Sequence, residues 1–373
     1  MGGLNGRGVA ADAGRRHGPL LVMMALLALL AGCGLYERFA DAPLSEPERS
    51  DVLAPYEAAE WPRYLERLAL PRDRDFVIMA FLPTRYPLDF SDPEKARKSL
   101  LKAVGSPGMD TKIGHTIVGW QCGRYQGMTS MSGANGPESI QLLREGWGLV
   151  AGLSVYNDGK LFPEGEHRIA NLEAIEQGRA IVTAVEVSRA DCLGLRQSLT
   201  RFVTHPDAPV EKFGLMLRPE RFEGGGCISF GFFLANAAGT MREITPHIRR
   251  EVPLHAPMLG RGGAELPLVS HYRPPAGCCD RPLALDSLLF QNWGKGPVVD
   301  RVRLEDGELV IAALVAARAG VSAPDDWRFA RVLPRSDPPV ARAWAAGEAM
   351  AARYPVRWIA DPEGVQALVL ARK

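Results

Sequence analysis

The sequence predicts an α+β fold, in which strands and helices follow one another along a loop-rich chain. Residues 76–82 and 112–122 are rich in β-branched, aromatic and other apolar side chains, which is typical of buried strands. Asp92 and Pro93 supply an N-cap and a first helical residue, so we predict a helix that continues over 94–104. The 29 prolines and 39 glycines favour many loops over a helical bundle.

One glycine-rich stretch carries the main chemical signal. Three glycines at 224–226 lead directly into Cys227, and an almost wholly apolar run continues to Gly239. The length and alanine content of this run predict a buried helix with Cys227 in its first turn. The free N–H groups and dipole of a helix start stabilise an anion, so Cys227 is a candidate thiolate nucleophile. The alternative is an inert buried thiol, because free cysteine is among the most buried residue types.

The N-terminal segment has the pattern of an export signal. Arg15 and Arg16 precede an apolar run over 20–31 that is short for a bilayer span. Residues 30–33 (Leu-Ala-Gly-Cys) resemble a bacterial lipoprotein box, which implies a signal peptide over 1–32 and acylation of Cys33. The alternative is an ordinary secretory signal cut nearby. Gly34, directly after Cys33, is similar to the residue at this position in enteric lipoproteins that are sorted to the outer membrane. We therefore expect a periplasm-facing, lipid-anchored envelope protein, in the outer membrane.

Composition limits the remaining possibilities. A chain of 373 residues that is 46% hydrophobic can bury a large core. Its formal net charge of +1 and the lack of a basic stripe argue against a nucleic-acid binder. We divide the mature chain into a tether (33–75), a main domain (76–260) and an accessory α/β region (261–373), and expect no cofactor or metal.

The cysteine count indicates disulfides. Of the six cysteines, five remain once Cys33 is assigned to the lipid, and an odd number in an oxidising compartment leaves one free. We expect Cys227 to be the free one and the other four to form two disulfides. A bond between neighbouring cysteines is geometrically awkward, so we expect each of the adjacent pair to bond to one of the other two. The four disulfide candidates are Cys122, Cys192, Cys278 and Cys279.

The strand predicted over 112–122 carries a candidate base. Its period of two places His115 on one face together with Gln121, and Trp120 and Cys122 on the other. A lone histidine is more often a hydrogen-bonded packing residue. Here the neighbouring Gly114 and the presence of a candidate nucleophile, Cys227, favour a functional role for His115.

Further elements are predicted in order along the chain. Ser188, with Asp191 three residues later, begins a helix that carries Cys192 on its apolar face. Residues 240–297 are predicted to be irregular and Pro-rich. Asp306-Gly307 gives a hairpin-turn signal inside a strand region over 298–314. The other predicted elements are strands over 149–155, 180–187, 356–359 and 365–370 and a helix over 341–354.

The order of these parts resembles the circularly permuted papain-like cysteine hydrolases, which include cell-envelope amidases and lecithin–retinol acyltransferases. The residues around His115 (Ile-Gly-His-Thr-Ile-Val) and around Cys227 (Gly-Gly-Gly-Cys-Ile-Ser-Phe) carry the similarity, which covers about 76–245. The resemblance implies an antiparallel sheet packed against the helix that carries the cysteine, with histidine before cysteine in the chain. The sequence departs from the family in having Gly226 where many members have asparagine.

These observations lead to a functional hypothesis. Cys227 would attack a carbonyl, with His115 accepting its proton and returning it to the leaving group. Ser154 and Asn157 are candidates to orient the imidazole. The substrate would be an amide, and a peptidoglycan peptide is the natural one in this compartment. Two alternatives remain open: a non-catalytic envelope-binding or assembly lipoprotein, and an acyltransferase or thioesterase, which would require an apolar groove.

Overall fold

A six-stranded, mostly antiparallel sheet organises the structure, a computed structural model that describes residues 46–57, 61, 63–84, 86–104, 114–133, 136–163, 168–261, 268–319, 321, 332–360 and 366–373. The strands are β1 (Asp75–Leu82), β2 (His115–Cys122), β3 (Tyr125–Thr129), β4 (Met131–Gly133), β5 (Gly159–Leu161), β6 (Ile181–Val187), β7 (Arg249–His255), β8 (Val298–Glu305), β9 (Val356–Ala360) and β10 (Ala367–Ala371). The central sheet has the order β3-β2-β1-β6-β10-β9. Two-stranded sheets pair β4 with β5 and β7 with β8.

Helices cover both faces of the sheet, and the mostly antiparallel strand pairing makes this a mixed α+β fold. They are α1 (Glu46–Glu57), α2 (Arg63–Arg67), α3 (Pro93–Val104), α4 (Gly136–Arg144), α5 (Val150–Leu153), α6 (Arg168–Glu176), α7 (Arg189–Thr204), α8 (Cys227–Ala237), α9 (Leu285–Phe290), α10 (Gly307–Arg318) and α11 (Pro338–Ala352). Among the described residues, none of these helices has both the length and the apolar character needed to cross a bilayer.

The two faces of the sheet bury different cores. On one face Val118 and Trp120 of β2 pack with α7, α8, α10 and α11. On the other face Ile117 packs with side chains of α2 and α6. A third core lies away from the sheet, where α3, α5 and α9 pack against the β7–β8 ribbon. Strands β1 and β2 are buried on both faces, and β1 is accordingly an almost continuous apolar run over 76–82.

Several sequence predictions are confirmed with small changes of boundary. The strand predicted over 76–82 is β1, the helix over 94–104 is α3, and the Asp92 carboxylate accepts hydrogen bonds from the N–H groups of Glu94 and Lys95. Ser188 caps α7 by accepting from the Asp191 N–H at 3.1 Å. The run after Cys227 is helical, and the last two predicted strands are β9 and β10. These last two strands come from the region 261–373 and lie in the same sheet as β1.

Three element predictions need correction. Residues 149–155 were expected to form a strand, but 150–153 form the short helix α5 and only Val155 makes an isolated bridge, to Ser270. Short apolar runs do not distinguish buried strands from helices by periodicity. Asp306 was expected in a hairpin turn. It instead caps α10, its Oδ1 accepting from the Glu308 N–H at 2.9 Å. The region 240–297, predicted to be irregular, contains β7 and α9.

The four predicted cysteines form two disulfides, but the predicted pairing is wrong. Cys122 at the end of β2 bonds to Cys192 in the first turn of α7, with a Cα–Cα separation of 5.6 Å. Both are fully buried where α7 packs on β2, so neither can reach the other candidates. Cys278 and Cys279 are bonded to each other, which corrects the expected pairing with Cys122 and Cys192. Cys227 is the free cysteine among the described residues. Cys33 and the predicted signal peptide lie outside the described residues.

Candidate functional site

The glycine run fixes Cys227 at the start of α8. Gly224 has a φ of +112°, and a Cβ there would lie 2.3 Å from the Lys212 carbonyl oxygen, so glycine is required. The Gly225 N–H donates to the same oxygen at 3.1 Å. The Gly226 N–H donates to Ser229 Oγ at 2.9 Å, which satisfies a backbone donor just ahead of the helix. Cys227 therefore occupies the first helical position with its backbone held on both sides.

The Cys227 thiol lies beside the beginning of β2. Its Sγ is 3.8 Å from the Gly114 carbonyl oxygen. Burial raises the pKa of this thiol to about 11, although the backbone N–H groups of Thr116, Ile228 and Cys227 itself lower it in part. The nearby Glu305 carboxylate raises the pKa further. Removal of the sulfur from water thus outweighs the helix start, and the thiol is neutral at pH 7 where the sequence predicted a thiolate.

The backbone just before His115 contacts Cys227 through the Gly114 carbonyl, but the His115 side chain lies on the opposite face of the sheet. In the β1–β2 register His115 is opposite Leu82, a residue of the core that contains Ile117. Thr116 points the other way, toward α8, where a Cβ on Gly231 would lie 2.5 Å from its methyl group. The alternation predicted from the sequence is therefore correct, and it is this alternation that directs the imidazole away from the sulfur.

The two residues proposed to orient His115 have other surroundings. The Ser154 hydroxyl is buried and donates to the Val150 carbonyl oxygen at 2.6 Å, one turn back. Asn157 is exposed. Among the described residues no hydrogen bond joins Ser154 or Asn157 to the buried His115, although Leu153 beside Ser154 lines the same cavity as Cys227.

Cys227 lies in the wall of an apolar cavity of about 270 Å³. The cavity is formed where α3 and α5, the β7–β8 ribbon and the starts of α8 and α10 meet. Its apolar wall includes Phe90, Leu100, Leu153, Leu254, Met258 and Trp293. The sequence did not predict this cavity, since its wall residues are spread over about two hundred positions.

Charged groups are buried at one end of the cavity. Arg250 donates to Asp306 at 2.6 Å and to Asp337 at 2.7 Å, and its side chain is almost fully buried. Glu308 accepts from the Leu88 N–H at 3.1 Å, and burial raises its pKa to about 8. Burial also raises the pKa of Asp306, against the opposing effect of Arg250. Arg250 and Asp306 lie in the cavity wall itself.

The sequence did not predict this buried cluster of charged side chains. One signal was available: Asp306 followed by Glu308 and an apolar run fits an N-cap and an acidic first turn as well as it fits a hairpin. The partners Arg250 and Asp337 carry no such local signal.

No protein-family model, curated protein sequence or solved structure matches this chain.

Proposed function

We propose that this protein binds an apolar, chain-like ligand in the cavity beside Cys227. One observation carries the proposal: a cavity of about 270 Å³ whose wall is almost wholly apolar, with a few charged groups at one end. Ligand sites are typically concave and mostly apolar, with a small number of polar groups that fix orientation, and their volumes are about 300–1,000 Å³. The cavity of about 270 Å³ lies just below this range.

The proposal corresponds to the binding alternative for an envelope lipoprotein. A neutral, buried thiol and an imidazole on the other face of the sheet favour binding over nucleophilic catalysis. The lipid anchor at Cys33 and the periplasm-facing location remain predictions from the sequence. The permuted papain-like relationship is supported by a mostly antiparallel sheet with the cysteine helix packed on it, and it too remains a proposal.

A binding assay with a blocked cavity tests this function. Gly152 lies in the cavity wall and is exposed, and a Cβ there meets no atom within 4 Å, so Gly152→Phe would add a ring at the cavity wall without a backbone clash. The mature chain carrying Cys33→Ser, purified oxidised, would be titrated with the neutral probe N-phenyl-1-naphthylamine. We expect saturable fluorescence enhancement that Gly152→Phe reduces at least tenfold in affinity. Ala345→Phe, an exposed position on α11, is the matched control. Equal binding by both variants would refute the proposal.

Cysteine-dependent acyl transfer or hydrolysis is the second candidate, because Cys227 combines a cavity-wall sulfur with a helix start. In that reaction the sulfur would attack a carbonyl, the thiol proton would pass to a base and then to the leaving group, and the Cys227 N–H would stabilise the oxyanion. His115 would be that base only if its imidazole reached the sulfur from the other face. The apolar wall suits an acyl ester better than a peptidoglycan peptide amide.

Alkylation of Cys227 separates the two candidates. Iodoacetamide labelling would be followed against pH and mapped by mass spectrometry. Binding without catalysis predicts a labelling midpoint near the pKa of about 11, unchanged by His115→Ala. A midpoint well below the ~8.5 of an ordinary thiol that moves in His115→Ala would instead support the hydrolase hypothesis.

A further inference from the structure

An arginine-lined groove adjoins the apolar cavity. It has a volume of about 490 Å³, and four arginines contribute to its wall. They come from three separate places in the fold: Arg218 precedes the glycine run, Arg249 and Arg303 lie on the β7–β8 ribbon, and Arg342 lies on α11. Their convergence is a property of the tertiary structure and leaves no basic stripe in the sequence.

Two of these arginines are already paired. Arg249 donates to Glu305 at 2.9 Å and lies 3.9 Å from Glu220. Arg303 is 3.8 Å from Glu251. Both Glu305 and Glu251 lie in the groove wall, so Arg249 and Arg303 neutralise these two carboxylates within the groove.

The other two arginines have no side-chain ion pair within the part of the chain that the structure describes. Arg218 and Arg342 are both exposed in the groove wall. The residues of the wall, four guanidinium groups and two carboxylates, sum to a charge of +2. Outside the wall, the Glu220 carboxylate lies 3.9 Å from Arg249, and the Glu223 carboxylate accepts from the Arg218 backbone N–H. A concave wall with an excess of positive charge attracts anions, and a planar guanidinium fits carboxylate or phosphate oxygens.

The groove and the cavity are adjacent. Leu215 and Glu305 form part of the wall of both. Leu215 also lies close to the glycine run, because a Cβ on Gly226 would be 3.6 Å from its Cδ2. A single molecule that passes Leu215 would therefore have one end beside Cys227 and the other beside the arginines.

We propose that the ligand is a single-chain anionic amphiphile, with its alkyl chain in the apolar cavity and its carboxylate or phosphate head in the arginine groove. This inference rests on the proposed binding function and adds the charge and position of the head. A cationic head would meet the net positive wall, and an uncharged head would leave Arg218 and Arg342 without a counter-charge. The carboxylate of Glu305, at the junction, is held by Arg249 and so does not repel the head.

The test compares four amphiphiles with the same chain: dodecanoate, dodecyl phosphate, dodecanol and dodecyltrimethylammonium. Each would be titrated below its micelle concentration into the mature chain carrying Cys33→Ser, by displacement of N-phenyl-1-naphthylamine. We expect one or both anions to bind at least tenfold more tightly than dodecanol at low salt, and the advantage to shrink as salt is added. The ratio of dodecanoate to dodecyl phosphate identifies the preferred head.

Two double variants test where the charged head group binds. Arg218→Gln with Arg342→Gln should reduce the anion advantage to less than threefold while leaving dodecanol binding unchanged. Arg72→Gln with Arg357→Gln removes the same charge at exposed positions outside the groove and should preserve the advantage. Equal binding of dodecanol and the anions, with Gly152→Phe still blocking both, would overturn this inference and leave the proposed function standing. Tighter binding of the cation would also overturn it. Saturable binding of none of the four would refute both.

Discussion

The buried carboxyl of Glu308 should make the stability of the protein depend on pH, and Glu308→Gln should remove much of that dependence. Glu308 is 3% exposed, and its Oε1 accepts from the Leu88 N–H at 3.1 Å. Glutamine keeps this acceptor oxygen and nearly the same shape but does not ionise. The substitution therefore removes the charge while leaving the packing and the hydrogen bond in place.

The magnitude follows from the pKa. Burial, with a further contribution from the Asp306 carboxylate, raises the pKa of Glu308 from 4.5 to about 8. Between these two values the folded state keeps its proton while the unfolded state has lost it, so the free energy of unfolding falls as pH rises. The loss begins near pH 4.5 and is complete above about pH 8. At about 1.4 kcal/mol per pKa unit, the carboxylate costs at most about 5 kcal/mol.

The assay is urea denaturation followed by tryptophan fluorescence between pH 5 and pH 9. We expect Glu308→Gln to match the wild type within about 1 kcal/mol at pH 5 and to exceed it by several kcal/mol at pH 9. Glu348→Gln, at an exposed glutamate of α11, is the control and should run parallel to the wild type. The reasoning is refuted if the wild type and Glu308→Gln lose stability in parallel across this range.

Two further predictions concern the core. Replacing Cys122 and Cys192 together by alanine removes a cross-link between residues 70 positions apart, and the chain-entropy model gives a loss of about 4 kcal/mol; an unchanged urea midpoint would contradict a formed disulfide. Gly231→Ala, which raises helix propensity, should nevertheless destabilise the protein by about 1–3 kcal/mol, because the new Cβ would lie 2.5 Å from the Thr116 methyl carbon. Gly152→Ala, which meets no atom within 4 Å, should instead be neutral or stabilising. Similar unfolding temperatures for the two alanine variants would count against this packing.

Local signals in the sequence predicted much of the fold. The continuous apolar run over 76–82, the Asp92 cap and the Ser188 cap each depend on neighbours within a few residues, and each is found in the structure. The period of two over 112–122 also gave the faces of β2 correctly. Such features depend on backbone geometry and burial, which short stretches of sequence specify.

The site could not be derived in the same way. The sequence placed Cys227 at a helix start, but the pKa of its thiol depends on how deeply the helix is buried, and this depends on the packing of distant elements. Whether His115 and Cys227 share a face depends on which side of the sheet α8 covers. The cavity and the arginine groove require the β7–β8 ribbon to lie against α3 and α8, a contact between segments far apart in the chain.

The position of β10 has a consequence for how the chain folds. β10 is the parallel neighbour of β6 and is inserted between β6 and β9, with Val182 opposite Ala367 although 185 residues separate them. Loop closure over that distance is entropically costly, and pairings of high contact order form slowly. Until β10 has been synthesised, the backbone N–H and C=O groups along one edge of β6 have no β10 partner, and the side chains of β6 are mostly apolar. We expect refolding to be slow and its intermediates to be prone to association through this edge, more so at higher protein concentration.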